Sequence, residues 1–574
     1  MNENHQHIDK KLAYILYLIL FGLVLIVCYT FHLQINLVSQ FFNRGQKNFL
    51  RTQTIASVRG SITDCKGRFL ATNRPVNTIY WKGTYKKNLS DEHKKVLSTL
   101  SAIIHGTITD HDHIEEVAQN LMLTERKGTL SKLFEDVDLQ TLARVFEQFP
   151  DHPNIIVKRA FKRYYPYDTY ASHLVGYLGH TPLNSAGKMG LEMLHEPHLQ
   201  GKVGKEIIKI NSSGRYIETA YVEKAESGST LCTTIDLDIQ RMVEDVFPSS
   251  YSGACIIMDP ETGALKALLS APSFNPNIFL QSFSRHDWNN LIKQNCFINR
   301  TCNACYPPAS LFKLITLVAA LEENVITPDQ TWQCKGFTKF GNRKYRCGNI
   351  WGHGELTTQQ ALAKSCNIPF FEIGKKLSID TLAHYAHMFG LGEKTSVKLI
   401  EKAGLVPTSE WKRYTKGERW WPGETLSAVI GQSFLLTTPL QIATMMSSFC
   451  TGHRVTPRIL VNEPIINEHL PLKPSTLECI QNATQQVIKS GTARRIKKDL
   501  EDFDIHAKTG TAQTSSLSRR KLSKAHKEHA WFTAYFTYKN QQPLVIVVLI
   551  EHAGSARIAT NTAANFLKRY KKQY

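Results

Sequence analysis

The sequence predicts an α+β multidomain chain: one N-terminal transmembrane helix, an α+β region to about residue 229, and a larger domain over 230–574. Three observations predict it. Residues 12–31 carry no charge across a bilayer's span. The texture changes near residue 230, where short Gly-, Tyr- and Pro-rich strands give way to alternating strands and helices. The 574 residues, 42% apolar and 21% charged, suffice for two to four domains with full cores.

Taking the elements in order, residues 1–11 form a short tail and 12–33 an anchor. Lys10 and Lys11 precede the apolar run, and the next Lys or Arg is Arg44. The positive-inside rule then puts the tail in the cytoplasm and the rest outside. The run is long and no small-x-small site follows it, which argues against a cleaved signal peptide. No later stretch is long and apolar enough to span, which argues against a transporter or channel. The net charge of +20 suits anionic partners. No zinc-finger spacing and no aromatic RNA-binding signature accompanies it, so nucleic acid is not an expected partner.

Residues 34–58 read as a juxtamembrane connector, and RGSITDCKGRFLATNRPV (59–76) as a hairpin turning at Cys65-Lys66-Gly67. Residues 90–150 read as helical, and 160–225 as short strands and turns. Beyond 230, STLCTTIDLDIQRMVEDVF is a strand then a helix, and GACIIMDPETGALKALLSAP is a hairpin through a Pro-Glu-Thr-Gly turn. The chain closes with two strands, AWFTAYFTY and PLVIVVLIEH, and a terminal helix. The basic stretch 518–529 reads as a mobile loop.

The chemistry begins at YPPASLFKL, 306–314. Pro307 and Pro308 suit a first helical turn, where the amide they lack has no partner anyway. The expected helix is apolar nearly all round, so it belongs inside a domain. Ser310 sits at its N-terminus, where the helix dipole favours negative charge. Lys313 follows one turn on, hence on the same face. A lysine in a dry site favours its neutral form and can take a proton, which activates the serine. The plain alternative is a helix cap and a snorkelling lysine. Two further motifs outweigh it. Ser365-Cys366-Asn367 lies 55 residues after Ser310, and Lys508-Thr509-Gly510 a further 143 residues on. Ser-x-x-Lys, Ser-x-Asn and Lys-Thr-Gly in this order are the signatures of penicillin-recognising acyltransferases. DIHAKTGTAQ reads as an edge strand that can pair with an extended peptide, with Gly510 allowing close approach.

Here the sequence resembles the class B penicillin-binding proteins, D,D-transpeptidases that cross-link bacterial peptidoglycan. RGSITDCKGRFLA is similar to the start of that family's pedestal, with Cys65 in place of the usual Arg. RYYPYDTYASHLVGYLG (163–179), GKMGLE (187–192) and LQGKVG (199–204) resemble its other pedestal stretches. PGETLSAVIGQSFLLTTPLQIA (422–443) and NIWGHGELT look most like the elongation-type branch, penicillin-binding protein 2. Ala309 stands where the family carries Gly, a change expected to be harmless. The resemblance implies a pedestal over 34–229 and a transpeptidase domain over 230–574, β-lactamase-like, with an antiparallel sheet flanked by helices. No glycosyltransferase signature is present.

The resemblance implies a reaction. Ser310 attacks the carbonyl between two terminal D-alanines and Lys313 accepts its proton. The Ser310 and Thr511 amides form the oxyanion hole. Ser365 passes a proton to the leaving D-alanine, with Lys508 beside it. Asn367 binds the peptide backbone, Thr509 and Thr511 hold the carboxylate, and Gly510 lies between them. Implied partners are stem peptides, the lipid-linked precursor and β-lactams. A membrane-embedded glycosyltransferase of the shape, elongation, division and sporulation group and a periplasmic elongation activator are implied as well. The implied location is the bacterial inner membrane, with the catalytic domain periplasmic. The alternatives are a membrane-anchored β-lactamase or D,D-carboxypeptidase of the same fold, a division-type septal transpeptidase, or a non-enzymatic sensor or scaffold. The long pedestal and the lack of an added deacylating Glu argue against the β-lactamase.

A second constellation is Cys334, Cys347, His353 and Cys366, with gaps of twelve, five and twelve residues. Three thiolates and an imidazole make a closed tetrahedral zinc set. A Cys334–Cys347 disulfide and buried free thiols remain the alternatives. Cys302 and Cys305 read as a structural pair or disulfide. HEPHL lacks zinc-protease spacing.

Overall fold

The computed structural model describes the chain except residues 1, 85, 87, 106–120, 123, 127, 180–185, 212–215, 281–283 and 515–525. Most of the expected loop at 518–529 therefore lies outside the described residues, as does the middle of the expected helical region. A helix runs over Asn2–Phe31 and continues as a turn to Asn36. Its stretch Lys11–Asn36, with mean hydropathy 2.6, is long and apolar enough to cross a membrane.

Backbone proximity divides the chain into two units. The smaller comprises 1–58, 73–162 and 200–228; the larger comprises 59–72, 163–199 and 229–574. Two stretches assigned to the pedestal from sequence thus group with the larger unit. Glu192 explains the grouping in side-chain terms. It is fully buried, accepts from Arg59 Nε and Arg163 Nε, each at 2.7 Å, and from the Tyr165 hydroxyl at 3.1 Å. A buried carboxylate with two guanidinium partners holds distant segments together, because losing one partner leaves an uncompensated charge.

In the smaller unit the expected connector is a helix, Val38–Phe49, and a strand, Leu50–Ile55. That strand pairs with Gly204–Ile210, which pairs with Tyr216–Glu223. Leu130–Val137, read as helix from sequence, is a strand paired antiparallel with Phe69–Lys82. Gly128, at φ +60°, ends the preceding helical turn, and Asp136, at φ +67°, closes the strand. Neither backbone state continues a helix. Ile79, Leu100, Val137, Leu142 and Val145 form this unit's core.

The larger unit is built on a five-stranded antiparallel sheet. Its order is Leu265–Ala271, Gly253–Met258, Leu544–Ile550, His529–Tyr538, Phe503–Ala512. Alternate residues enter two separate cores. Ile546, Val548 and Ile550 pack with the terminal helix Ala556–Gln573, whereas Val545, Val547 and Leu549 pack on the other face. Period-two alternation against helices on both faces accounts for strands apolar at nearly every position. Lys313–Glu322 is a helix buried on all sides through Leu321, as its composition predicts. Phe503–Ala512 is the sheet's edge.

Candidate active site

Ser310 does not lie in the α-helix proper. A short 3-10 turn, Ala309–Leu311, precedes the helix that starts at Lys313. The expected helix start at the prolines fails because Ala309 adopts φ +49°, a left-handed state no α-helix continues. Alanine at position 309, expected to be harmless, is therefore not conformationally neutral. A non-glycine residue in this state carries roughly 1–2 kcal/mol of strain. Neighbours hold it there. Ala309 N donates to Gly431 O at 2.9 Å, and Trp531 Nε1 donates to Pro307 O at 3.0 Å. Gly431 itself is at φ +70°, and a Cβ there would meet the Ala309 oxygen at 1.9 Å. The turn leaves Ser310 half-buried, with no hydrogen bond to its hydroxyl among the described residues.

Behind it, Lys313 is fully buried. Its Nζ donates to Asn367 Oδ1 at 2.7 Å, Ser365 O at 2.8 Å, Cys366 O at 3.2 Å and Ser365 Oγ at 3.4 Å. Lys508, equally buried, donates to Ser365 Oγ at 3.1 Å and Thr509 O at 2.9 Å. The Ser365 hydroxyl therefore links all three motifs. Burial lowers Lys313 to about 8. Burial, then repulsion from Lys313, pushes Lys508 well below the usual lysine range. No carboxylate pairs with either lysine among the described residues, so proton exchange between neutral and charged forms is accessible. Ser365 is also left-handed, at φ +52°, a state that persists only where the surroundings fix it.

A cavity of about 510 Å³ opens over these groups, lined by Ser310, Ser365, Thr509, Gly510 and Thr511. Thr509 shares a hydrogen bond with Thr492 at 2.7 Å between hydroxyl oxygens. Arg494, Arg495 and Arg557 line the same cavity and make it positive. Sequence motifs do not reveal these three, because they come from two segments that only the fold joins. Gly510 also packs closely against the protein itself. A Cβ there would lie 3.2 Å from Trp531 Cβ and 3.4 Å from Pro308 O, so it fits against the nucleophile turn. Asn367 keeps part of its amide for the protein, its Nδ2 donating to Arg346 O at 3.1 Å.

Cys334, Cys347, His353 and Cys366 converge, with one ligand atom from each within 4.8 Å of the others. Cys347 Sγ lies 3.8 Å from Cys366 Sγ, and His353 Nδ1 lies 3.5 Å from Cys347 Sγ and 3.7 Å from Cys334 Sγ. Zn–S bonds of about 2.3 Å and a Zn–N bond of about 2.0 Å give tetrahedral edges of roughly 3.8 Å and 3.5 Å. The donor set therefore fits zinc. The Cys366 thiol, directed at the Cys347 sulfur, holds Cys347 well below the usual thiol range and Cys366 well above it. All twelve cysteines, Cys302 and Cys305 among them, are free thiols, so neither considered disulfide is present.

The family description "Penicillin binding protein transpeptidase domain" matches residues 253–568, and "Penicillin-binding Protein dimerisation domain" matches 54–233. Peptidoglycan D,D-transpeptidase MrdA of Haemophilus influenzae is 29% identical over 570 residues, covering 91% of this chain and 85% of that one. The Escherichia coli K12 protein of the same name is 28% identical, covering 92% and 88%. Among solved structures, PBP2 in complex with MreC from Helicobacter pylori has a TM-score of 0.78 at 27% identity, covering 92% of this chain and 99% of that one. A peptidoglycan synthase complex described as coordinating polymerization and crosslinking has a TM-score of 0.73 at 27% identity, with 98% of each chain covered.

Proposed function

This chain belongs to the penicillin-binding protein transpeptidases, and from that premise we infer how its own residues perform the reaction. It is an elongation-type peptidoglycan D,D-transpeptidase working through a serine acyl-enzyme. The observation that carries the assignment of residues is the Ser365 hydroxyl, which accepts from both Lys313 and Lys508 beside the Ser310 cavity.

Neutral Lys313 takes the Ser310 proton as Oγ attacks the carbonyl carbon of the penultimate D-alanine. The developing oxyanion is met by the Ser310 and Thr511 amides, where one good donor contributes about 3–4 kcal/mol. The carbon–nitrogen bond breaks, and Ser365 delivers a proton to the departing D-alanine amine. Lys313 and Lys508 hold the Ser365 oxygen and resupply that proton. An amine of a neighbouring stem then attacks the ester, and Ser310 recovers its proton. Thr509 and Thr511, with the cavity's three arginines, receive the terminal carboxylate. The remaining N–H of Asn367 is left for the peptide backbone.

Zinc would be held by Cys334, Cys347, His353 and Cys366, in a structural role. Cys366 separates Ser365 from Asn367, so an ion there would fix the segment that carries both. The helix over Lys11–Asn36 anchors the chain in the inner membrane with residues 1–11 cytoplasmic, supported by Lys10 and Lys11. The pedestal and span meet a membrane-embedded glycosyltransferase and a periplasmic activator, supported by the likeness to PBP2 bound to MreC and to a peptidoglycan synthase complex. Full-length protein supplied with lipid-linked precursor and a partner glycosyltransferase should release D-alanine and form cross-linked stems. D-alanine release with no cross-links would instead identify a carboxypeptidase. Replacing only the span and pedestal should abolish co-purification with the glycosyltransferase.

A further inference from the structure

A second cavity, about 520 Å³, lies beyond the first along the edge strand. Its walls come from four places. Arg343 and Tyr345 come from the strand Arg343–Arg346, Trp421 and Glu424 from the start of Pro422–Ala428, Gln432 from the segment after Gly431, and Gln513 from just past Phe503–Ala512. Three of these walls are tied to the catalytic groups. Arg346 O accepts from Asn367, Gly431 O accepts from Ala309, and Gln513 follows Thr511 by two positions. Two positions on a strand span about 7 Å, one side-chain repeat.

The charge in this cavity is asymmetric. Among the described residues Glu424 is its one lining carboxylate, and Lys412 Nζ satisfies it with bonds of 2.7 Å to each oxygen. The Trp421 amide also donates to it, at 2.9 Å. Arg343 is exposed, with its guanidinium 5.3 Å from the Tyr345 ring centre and no carboxylate partner among the described residues. Among the described residues the cavity thus presents one unspent guanidinium, whose planar fork matches a carboxylate.

We propose that this cavity receives the residue preceding the two terminal D-alanines of the donor stem, and that Arg343 selects a side-chain carboxylate on it. The inference rests on the transpeptidase reading. With the terminal carboxylate in the arginine-lined cavity and the scissile carbonyl at Ser310, the donor runs antiparallel to the edge strand. Its upstream residue then reaches Gln513 and Arg343. An amine-ended side chain alone would be repelled there.

The test uses two penicillins with one nucleus and one acyl chain, ending in either a carboxylate or the matching carboxamide. Their second-order acylation rates are measured on the full-length protein by intact mass. Wild type should favour the carboxylate by about 10-fold or more, the range for a charge-assisted hydrogen bond. Arg343→Ala should bring the ratio to about one, Arg343→Lys should keep part of it, and Lys344→Ala next door should keep all of it. Equal wild-type rates, a ratio surviving Arg343→Ala, or a ratio lost equally in Lys344→Ala would each overturn the subsite. No adduct with either penicillin on wild type is a separate result, and it overturns the transpeptidase reading itself.

Discussion

Removing zinc should lower both stability and acylation, and the two losses have different origins. The perturbation is chelation of the full-length protein, with Cys334→Ser as the genetic counterpart because Cys334 lies outside the Ser-x-Asn motif. Zinc that binds only the folded state at a hundred times its dissociation constant contributes about 2.7 kcal/mol. At roughly 2 °C per kcal/mol for a domain this large, the melting temperature should fall by about 5 °C. The acylation loss comes from Ser365. Its φ of +52° is held by the segment around Cys366, and Cys366 O accepts from Lys313 at 3.2 Å. Releasing the Cys366 sulfur frees that backbone to relax, which should slow penicillin acylation at least 10-fold. Elemental analysis, calorimetry and timed acylation before chelation, after it, and after zinc is restored make the assay. One zinc per chain, with reversible loss of both properties, is the expected result. Zinc-free protein with unchanged melting temperature and acylation would refute the clamp.

Ala309→Gly should raise stability by up to about 1 kcal/mol, since relief of left-handed strain exceeds the extra unfolded-state entropy of glycine; chemical denaturation reads it, and a clear destabilisation contradicts the strain. Ser365→Ala removes the shared acceptor of two buried lysines and should lower acylation by about 10²- to 10⁴-fold with Ser310 intact. His173 is buried, bonds Cys296 O at 2.6 Å through Nε2, and is held down to about 4 by that burial. Its folded value lies below the unfolded one, so the unfolded state binds the extra proton between about pH 6.5 and pH 4. About 3 kcal/mol of stability present above that window should drain away as pH falls through it. His173→Gln should flatten this slope in calorimetric pH series.

Local features were legible wherever the sequence alone determines them. The charge-free run, the hairpin at 253–271 and the edge strand all follow from periodicity and turn residues. The three motifs declared the site because each places a chemically unusual residue in a telling context. The four residues whose donor atoms converge stand out by residue type alone, although their gaps match no short knuckle. What failed was set by distant neighbours. Leu130–Val137 reads as helix until Phe69–Lys82 offers it an edge. The strain at Ala309 depends on Gly431. Arg343, Arg494, Arg495 and Arg557 look like ordinary surface cations until folding brings them to the two cavities.

The central claim is that Ser310 is the acylated nucleophile. Intact-mass measurement of the full-length protein with a penicillin, beside Ser310→Ala, tests it most directly. One stable adduct on wild type, absent from Ser310→Ala, is predicted. An adduct that persists in Ser310→Ala, or rapid penicillin turnover leaving none on wild type, would contradict it.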